Sequence, residues 1–411
     1  MKKNLKKEVG KAVGKSDNAA KGAKKGCRKK ELRRLRVLSL FANIGVAEAY
    51  LKEIGIDVVV ANEYVKNRAE LYQQIYPDCN MICGDITSEE IFEKIIENAR
   101  ESEIDIIMAT PPCQGMSTAG RQEDDDERNK LILPTLRMVQ ELLPKYVFIE
   151  NVPLFYQTEI DHNDERISIP NLILQEVGNL YEITFNVLNT ADYGVPQTRD
   201  RAITLMRRLD VNERKWVLPL KETRQCTLRD VIGHLPMLDP FISDVSEEEL
   251  LEIFPHYYER REAAKKISPW HTPPVHIQRQ VVAMQHTPTG CTAFDNEIYF
   301  PIKADGTPVR GYKNTYKRQN WDTPAYTITM DNRKISSQNN VHPGRLEYIN
   351  EQGEEIYSDA RTLTTYELML ASSLPKDWPV PLSTREARLR RLIGEGIPPL
   401  FVKKIFESLV R

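Results

Sequence analysis

The stretch Ile104-Asp-Ile-Ile-Met-Ala-Thr-Pro-Pro-Cys-Gln-Gly-Met-Ser117 decides how the chain is read. Its apolar opening, residues 104–109, reads as a buried strand, and two prolines separate that strand from Cys113. Further on, a second apolar run, residues 146–149, ends in Glu150-Asn-Val152. In an open parallel sheet the carboxyl ends of the strands lie along one edge, where ligands bind. The two runs therefore predict a thiol and a carboxylate side by side at that edge. A thiolate is the best side-chain nucleophile near neutral pH, and a neighbouring carboxyl can give or take a proton. A buried structural cysteine is the competing reading. The prolines before Cys113 and the Gln-Gly after it favour an exposed loop and a nucleophile.

Outward from these two strands the pattern alternates. Upstream, residues 36–41 read as a strand, followed by a short loop and a helix over 46–54. Residues 57–61 form a second strand ending at Asn62-Glu63, and a helix over 66–75 leads to a third strand at 81–85. A helix over 88–99 precedes the cysteine-bearing strand. Downstream come a polar loop, 115–128, and a helix, 129–143, before the glutamate-bearing strand. Alternation of this kind predicts a doubly wound α/β sheet. Strands at 182–188 and 202–206 look like a closing hairpin. Past residue 208 regular alternation stops, and prolines, histidines and aromatics gather between residues 255 and 343. Helical patterning resumes at 362–371 and again at 400–410. The expected organisation is a basic, disordered arm (1–34), a catalytic and cofactor-binding domain (35–208), a smaller irregular domain (209–360) and a C-terminal segment returning to the first (361–411).

Charge sharpens this division. Residues 1–36 carry 15 Lys/Arg against 3 Asp/Glu, and the remainder carries 42 against 56. An arm of that kind adds salt-dependent affinity for a polyanion, or is a solvated tail. Residues 301–346 are basic too, with 8 Lys/Arg against 3 Asp/Glu. Aromatics interleave there, in Arg310-Gly-Tyr-Lys-Asn-Thr-Tyr-Lys-Arg-Gln-Asn-Trp321, a mixture suited to phosphate and base contact. No apolar run reaches the length of a membrane span, and no apolar segment follows the N-terminal charges, so neither a span nor a secretory signal is expected. Six scattered cysteines without a disulfide framework fit a reducing cytoplasm.

The turn Phe41-Ala-Asn-Ile-Gly-Val46, between the first strand and the expected helix, would let a ligand approach the backbone. It lacks the three glycines of a dinucleotide fingerprint. Glu63 and Asp85 end the second and third strands. Carboxylates there suit a ribose and an adenine amino group, unless both are simply loop acids.

With these residues in order, the chain resembles bacterial DNA (cytosine-5)-methyltransferases of restriction–modification systems, from Leu35 to the C-terminus. The resemblance rests on Pro111-Pro-Cys-Gln114, Glu150-Asn-Val152, Leu188-Asn-Thr-Ala-Asp-Tyr-Gly-Val-Pro-Gln-Thr-Arg-Asp-Arg201, Arg361-Thr-Leu-Thr364 and Gly394-Glu-Gly-Ile-Pro-Pro399. It implies a class I, Rossmann-like methyltransferase sheet, S-adenosylmethionine as cofactor, no metal, and a cytosine flipped out of double-stranded DNA. Cys113 would add to C6 of the base. Glu150 would stabilise the adduct through N3, which needs a carboxyl with a raised pKa. Arg199 and Arg201 would hold O2 and organise the nucleophile loop. Phe41, Asn43, Gly45, Glu63, Tyr64, Asp85, Ile86, Pro112, Leu131 and Glu395 are the implied cofactor residues. Residues 209–360 would correspond to the family's target-recognition domain, and the implied DNA contacts are Gln114, Ser117, Arg121 and Gln197, joined by Arg310, Lys313, Lys317 and Arg318 of its basic stretch.

Two departures stand out. The family's Phe-x-Gly-x-Gly-Gly turn carries Asn43 and Val46 here, and its C-terminal Gly-Asn is Gly394-Glu395. A cytoplasmic monomer is expected, sharing its site with a restriction endonuclease that need not bind it. The alternatives are an RNA (tRNA) cytosine-5 methyltransferase, whose own recognition signature is missing, and a catalytically silent DNA-binding homologue, which would not need Cys113, Glu150, Arg199 and Arg201 together. A zinc site from His271, His276, His286 and Cys291 is a further alternative, at spacings that match no standard finger.

Overall fold

A computed structural model describes residues 33–112 and 127–410. The chain divides into residues 1–33 and 34–411, and the second unit holds every element named below. The expected disordered arm lies outside the described residues, apart from its last two positions.

Seven strands form one sheet: β1 (Leu35–Leu40), β2 (Ile56–Glu63), β3 (Asn80–Cys83), β4 (Ile106–Ala109), β5 (Tyr146–Asn151) and, after a small β6–β7 hairpin (Glu159–His162, Glu165–Ser168), β8 (Tyr181–Asn189) and β9 (Asp200–Arg208). Their order is β3-β2-β1-β4-β5-β9-β8. The first five strands run parallel, and β8 and β9 close the sheet as an antiparallel pair. The order reverses between β1 and β4, the switch point at which open sheets bind ligands.

Strand alternation sends Leu38 and Leu40 to one face and Val37 to the other. The first face is covered by α2 (Glu89–Glu101), α3 (Ile132–Leu142) and α4 (Ile169–Val177), while α1 (Lys66–Ile75) flanks β2 and β3. In α2 the buried residues are Phe92, Ile95, Ile96 and Ala99, the spacing of one helical stripe. Each large side chain so enclosed stabilises the fold by about 1.5–3 kcal/mol. The opposite face is covered by the last helix of the chain, whose Phe401, Val402, Ile405 and Phe406 pack against Val37, Ile106 and Phe148.

The helix expected over 46–54 does not form. The chain there climbs through turns closed by i→i+3 bonds, Leu51 N–H to Glu48 O and Ile54 N–H to Leu51 O, and ends in a single 3₁₀ turn, Lys52–Ile54. Apolar spacing does not distinguish this tighter winding from an α-helix.

Residues 209–360 carry α5 (Leu228–Ile232), α6 (Glu247–Ile253), α7 (Tyr257–Ile267), α8 (Gln278–Gln285), a two-residue pairing of β10 (Phe241–Ile242) with β11 (Val275–His276), and the hairpin of β12 (Leu346–Ile349) and β13 (Glu355–Tyr357). Their apolar cluster, with Phe254, Tyr257, Val281, Met284 and Tyr316, is separate from the two that flank the sheet. Then come α9 (Thr365–Ala371), α10 (Glu386–Glu395) and α11 (Pro399–Phe406). The sequence reading did not anticipate α10 or the β6–β7 hairpin.

Candidate active site and cofactor turn

Register aligns the site. Leu40 pairs with Ala109, and Ala109 with Ile149, so Phe41, Thr110 and Glu150 follow at one level on the three central strands. On the other side Leu40 pairs with Asn62, and Glu63 with Cys83. Phe41, Glu63, Asp85, Thr110 and Glu150 therefore all leave the sheet along its ligand-binding edge.

The exit of β4 is held on both sides. Thr110 donates from N–H to Leu40 O (3.3 Å) and from Oγ1 to Phe41 O (3.2 Å). From the next strand, Asn151 Nδ2 donates to Pro111 O (3.1 Å) while its Oδ1 accepts the Val152 N–H (2.8 Å). The chain is thus fixed up to the threshold of Cys113. Cys113, Gln114, Ser117 and Arg121 themselves lie outside the described residues.

Glu150 meets Arg201 with Nε 2.7 Å from Oε1, in a pair whose side chains are each only 11% exposed. The antiparallel register pairs Glu150 with Ile203 and so brings Arg201 to it. Arg199, expected beside Arg201, reaches elsewhere: its Nη1 donates to Ile328 O (2.9 Å) and its Nη2 to Gly394 O (3.1 Å). Residues 325–328 run along the segment that leads into β9, with Thr198 N–H bonded to Ala325 O and Ala325 N–H to Pro196 O.

Two residues expected to contact DNA are enclosed in this structure. Gln197 is buried, donating to Ser372 Oγ (3.3 Å) and accepting the Ile328 N–H (3.2 Å). Arg318 is fully enclosed, and its guanidinium donates to the carbonyls of Met284, His342, Ser358 and Asp359 at 2.8–3.1 Å. Burial lowers its pKa to about 10. In the same basic stretch Tyr316 and Trp321 are buried, whereas Arg310 and Lys313 are exposed and Lys317 is half-buried. The interleaving of charge and aromatics thus mixed an interior with a surface. Lys313 pairs with Asp295 (3.0 Å), and Lys317 Nζ lies 5.1 Å from the centre of the Tyr326 ring.

The turn after β1 has three left-handed residues, Phe41 (φ 59°), Asn43 (φ 52°) and Gly45 (φ 77°). Asn43 adopts a conformation that glycine takes more easily and asparagine tolerates. Its N–H donates to Glu63 Oε2 (2.9 Å), and the other carboxylate oxygen accepts the Val65 N–H (2.9 Å). Glu63 is buried, which raises its pKa against the opposing pull of these bonds and of Arg68. A carboxylate has about four acceptor sites, so two backbone donors leave Glu63 able to take more. The buried Asn43 Oδ1 has no hydrogen-bond partner among the described residues. An orphaned acceptor beside a buried carboxylate with spare capacity fits a polar cofactor. Asp85 is exposed and accepts from Thr87 N (2.9 Å), Tyr64 is 68% exposed, Ile86 is buried, and Phe41, Pro112 and Leu131 are half-buried.

The two departures resolve as packing. Val46 is buried among Ile44, Leu71, Leu392 and Ile393, against Gly396, where an added Cβ would come within 2.7 Å of it. Glu395 is paired with Arg68 (2.8 Å) and Arg391 (3.1 Å). Sequence reading missed Arg68, Asn151, Tyr72 and Tyr76, because nothing in a helical or strand pattern marks which polar residue faces the turn.

Among the described residues no three His, Cys, Asp or Glu side chains form a metal-binding group. His271 bonds Thr364 Oγ1, His276 accepts from the Thr362 N–H, and His286 stacks on Tyr299. No helix among them is long and apolar enough to cross a membrane.

A family model described as C-5 cytosine-specific DNA methylase matches residues 35–411. Type II methyltransferase M1.HgaI of Avibacterium volantium is 41% identical over 377 residues, covering 90% of this chain and 97% of the relative. Type II methyltransferase M1.HphI of Haemophilus parahaemolyticus is 26% identical over 387 residues, covering 92% and 87%. Among solved structures, the Entamoeba histolytica methyltransferase EhMeth superposes with a TM-score of 0.57 at 15% identity, covering 92% of this chain and 98% of that one, a likeness of fold.

Proposed function

The chain belongs to the C-5 cytosine-specific DNA methylase family, and from that premise we propose how its residues perform the reaction. It is a DNA (cytosine-5)-methyltransferase of the restriction–modification kind, acting on double-stranded DNA. We assign S-adenosylmethionine as the cofactor, which supplies an electrophilic methyl group when bound. Glu63 would accept the ribose hydroxyls, Tyr64 would offer its ring to the adenine, and Asp85 would take the adenine amino edge. Phe41, Gly45, Ile86, Pro112 and Leu131 would line the pocket, and Asn43 Oδ1 would accept a donor from the methionine end. Glu395, held by Arg68 and Arg391, would border that pocket as a neutralised side chain.

Cytosine C5 is too weak a nucleophile to be methylated unaided. In this reading the Cys113 thiolate bonds to C6 of the flipped base, and the ring electrons move to make C5 an enamine carbon. Glu150 shares a proton with N3 as charge builds there, held in place by Arg201, whose guanidinium is also suited to O2. Once C5 is methylated, a base takes its proton, and the electrons of that C–H bond return to the ring and expel the thiolate. Arg199 positions the site, tying the active strand to residues 328 and 394–395. We further propose that residues 35–208 and 361–411 form the catalytic part and 209–360 the target-recognition part. Arg310, Lys313 and Lys317 would lie along the DNA, together with Gln114, Ser117 and Arg121. The protein would act as a cytoplasmic monomer, with residues 1–34 adding salt-dependent affinity.

The observation that carries this reading is the buried Glu150–Arg201 pair on the strand whose Asn151 holds the approach to Cys113. DNA containing 5-fluorocytosine should trap wild-type enzyme covalently, since fluorine at C5 cannot leave as a proton. Cys113→Ser should abolish both trapping and methyl transfer while retaining DNA and S-adenosylhomocysteine binding. An active enzyme that forms no adduct overturns the mechanism.

A further inference from the structure

The cofactor turn is held from outside by side chains that the mechanism above does not use. Tyr76, just past the end of α1, donates its hydroxyl to Gly45 O at 2.6 Å. The Tyr76 hydroxyl oxygen in turn accepts from the Trp378 indole Nε1 at 3.3 Å. The Tyr76 ring lies so close to Gly45 that a Cβ there would come within 2.1 Å of its Cε2. Tyr72 packs on Tyr76, with ring centres 4.9 Å apart, and bonds Glu48, which also accepts from Ser39 of β1 (2.5 Å). Beside them Gly396 packs on Val46, and Glu395 reaches Arg68 of α1. The contacts of Tyr76, Tyr72, Ser39 and Gly396 end within residues 45–48, and Trp378 and Glu395 of the C-terminal segment reach the same layer through Tyr76 and Arg68.

We propose that Tyr76 is a positioning residue for the cofactor, and that the hydrogen-bond chain Trp378–Tyr76–Gly45 makes the C-terminal segment a clamp on the cofactor turn. Three left-handed residues in a turn with one glycine are costly to hold. A carbonyl fixed at Gly45 sets the peptide plane that presents the Val46 N–H, and rigid tyrosine and tryptophan rings transmit that constraint. Cofactor affinity then depends on groups far along the chain that touch the turn rather than the ligand. This inference rests on the cofactor reading of the preceding subsection.

Tyr76→Phe removes the hydroxyl and keeps the ring. Calorimetry with S-adenosylhomocysteine, without DNA, should show affinity weakened by about three- to tenfold, the effect of one lost hydrogen bond. The KM for S-adenosylmethionine should rise by a similar factor, with kcat at saturation changing much less. Trp378→Phe should act in the same direction, and the double variant should lose less than the product of the two single losses, because both act through one oxygen. Glu63→Gln, measured in parallel, separates the layers. If it weakens binding while Tyr76→Phe and Trp378→Phe leave it unchanged and only lower the melting temperature, the clamp is refuted and the cofactor site stands. If wild-type protein binds no S-adenosylhomocysteine, or Glu63→Gln leaves its binding unaltered, the cofactor reading fails and the clamp with it.

Discussion

The sheet and the irregular segment 209–360 solve the same problem with opposite materials. Around the sheet, alternating strands and striped helices enclose continuous apolar clusters, and the ligand-facing groups gather only at strand ends. Between residues 209 and 360 regular elements are short, and loops are held from inside by charge. Arg318 ties together four backbone carbonyls. At the boundary, Arg361 of the C-terminal segment, also fully enclosed, meets both oxygens of Glu367 (2.7 and 2.9 Å) and reaches back to Asp359 (2.7 Å) and the Leu238 carbonyl (2.7 Å). Irregular backbone leaves carbonyls without ladder partners, and a buried guanidinium with five N–H donors can satisfy several at once. A surface built on loops can vary its tips freely while such a hub holds their bases.

The comparison breaks most visibly if the hub is dispensable. Arg361→Met should destabilise the fold by about 3–5 kcal/mol at neutral pH, because it strands two buried carboxylates. Burial opposes ionisation of Asp359 and Glu367, but His342 and Arg361 outweigh it and hold both below the usual carboxylate range. Depressed folded-state values mean that this stabilisation is present above the unfolded pKa, near 4, and is lost as the pH falls below it. In the variant the carboxyls can protonate without losing a partner, so its deficit should shrink between pH 7 and pH 3. Urea titrations across that range test this. A deficit that is small, or that does not vary with pH, would mean the loops stand without their charged centre.

Beside the sheet one enclosed carboxyl, Glu48, behaves in the opposite sense. Burial pushes its carboxyl up to about 7, against the hydrogen bonds from Ser39 and Tyr72. A raised folded-state value contributes stability below the ordinary 4.5, and that contribution is lost as pH rises through about 7. Glu48→Gln should therefore gain on wild type between pH 5 and pH 8, by up to ~3 kcal/mol. Thermal melts at the two pH values give the difference. Acid would then weaken the junction of residues 209–360 with the C-terminal segment and alkali the sheet, and parallel pH profiles for the two variants would erase that distinction.

What could be read in advance follows the same division. The ends of β1, β2, β4 and β5, the helix over residues 66–75 and the convergence of Phe41, Glu63, Asp85 and Glu150 follow from periodicities of two and 3.6 together with strand order. The winding of residues 46–54 was misread, because i→i+3 and i→i+4 turns bury similar spacings. Arg318 was misplaced because a basic run records charge and not direction, and only the folded loops show which guanidinium turns inward. Tyr76 and Trp378 carry no signal at all, since 302 positions separate the two ends of their hydrogen bond.

The smallest effect on stability is expected where the basic run does face outward, at Arg310 and Lys313. Replacing either by Gln should change stability by no more than ~0.5 kcal/mol, because neither is enclosed. If they lie along DNA phosphates, each replacement should weaken binding to all sequences alike and lower the slope of log affinity against log salt by roughly 1. A residue that reads a base edge would instead cost about 1–3 kcal/mol at one position of the site, and bisulfite mapping would show methylation spreading to sites that differ there. Arg318→Met supplies the contrast within the same short stretch. It should lower stability while leaving the salt dependence of the folded fraction unchanged, since its guanidinium is committed to four carbonyls. A lower salt slope for Arg318→Met, with Arg310→Gln and Lys313→Gln inert, would reverse the assignment of inside and outside on which the contrast between the two halves depends.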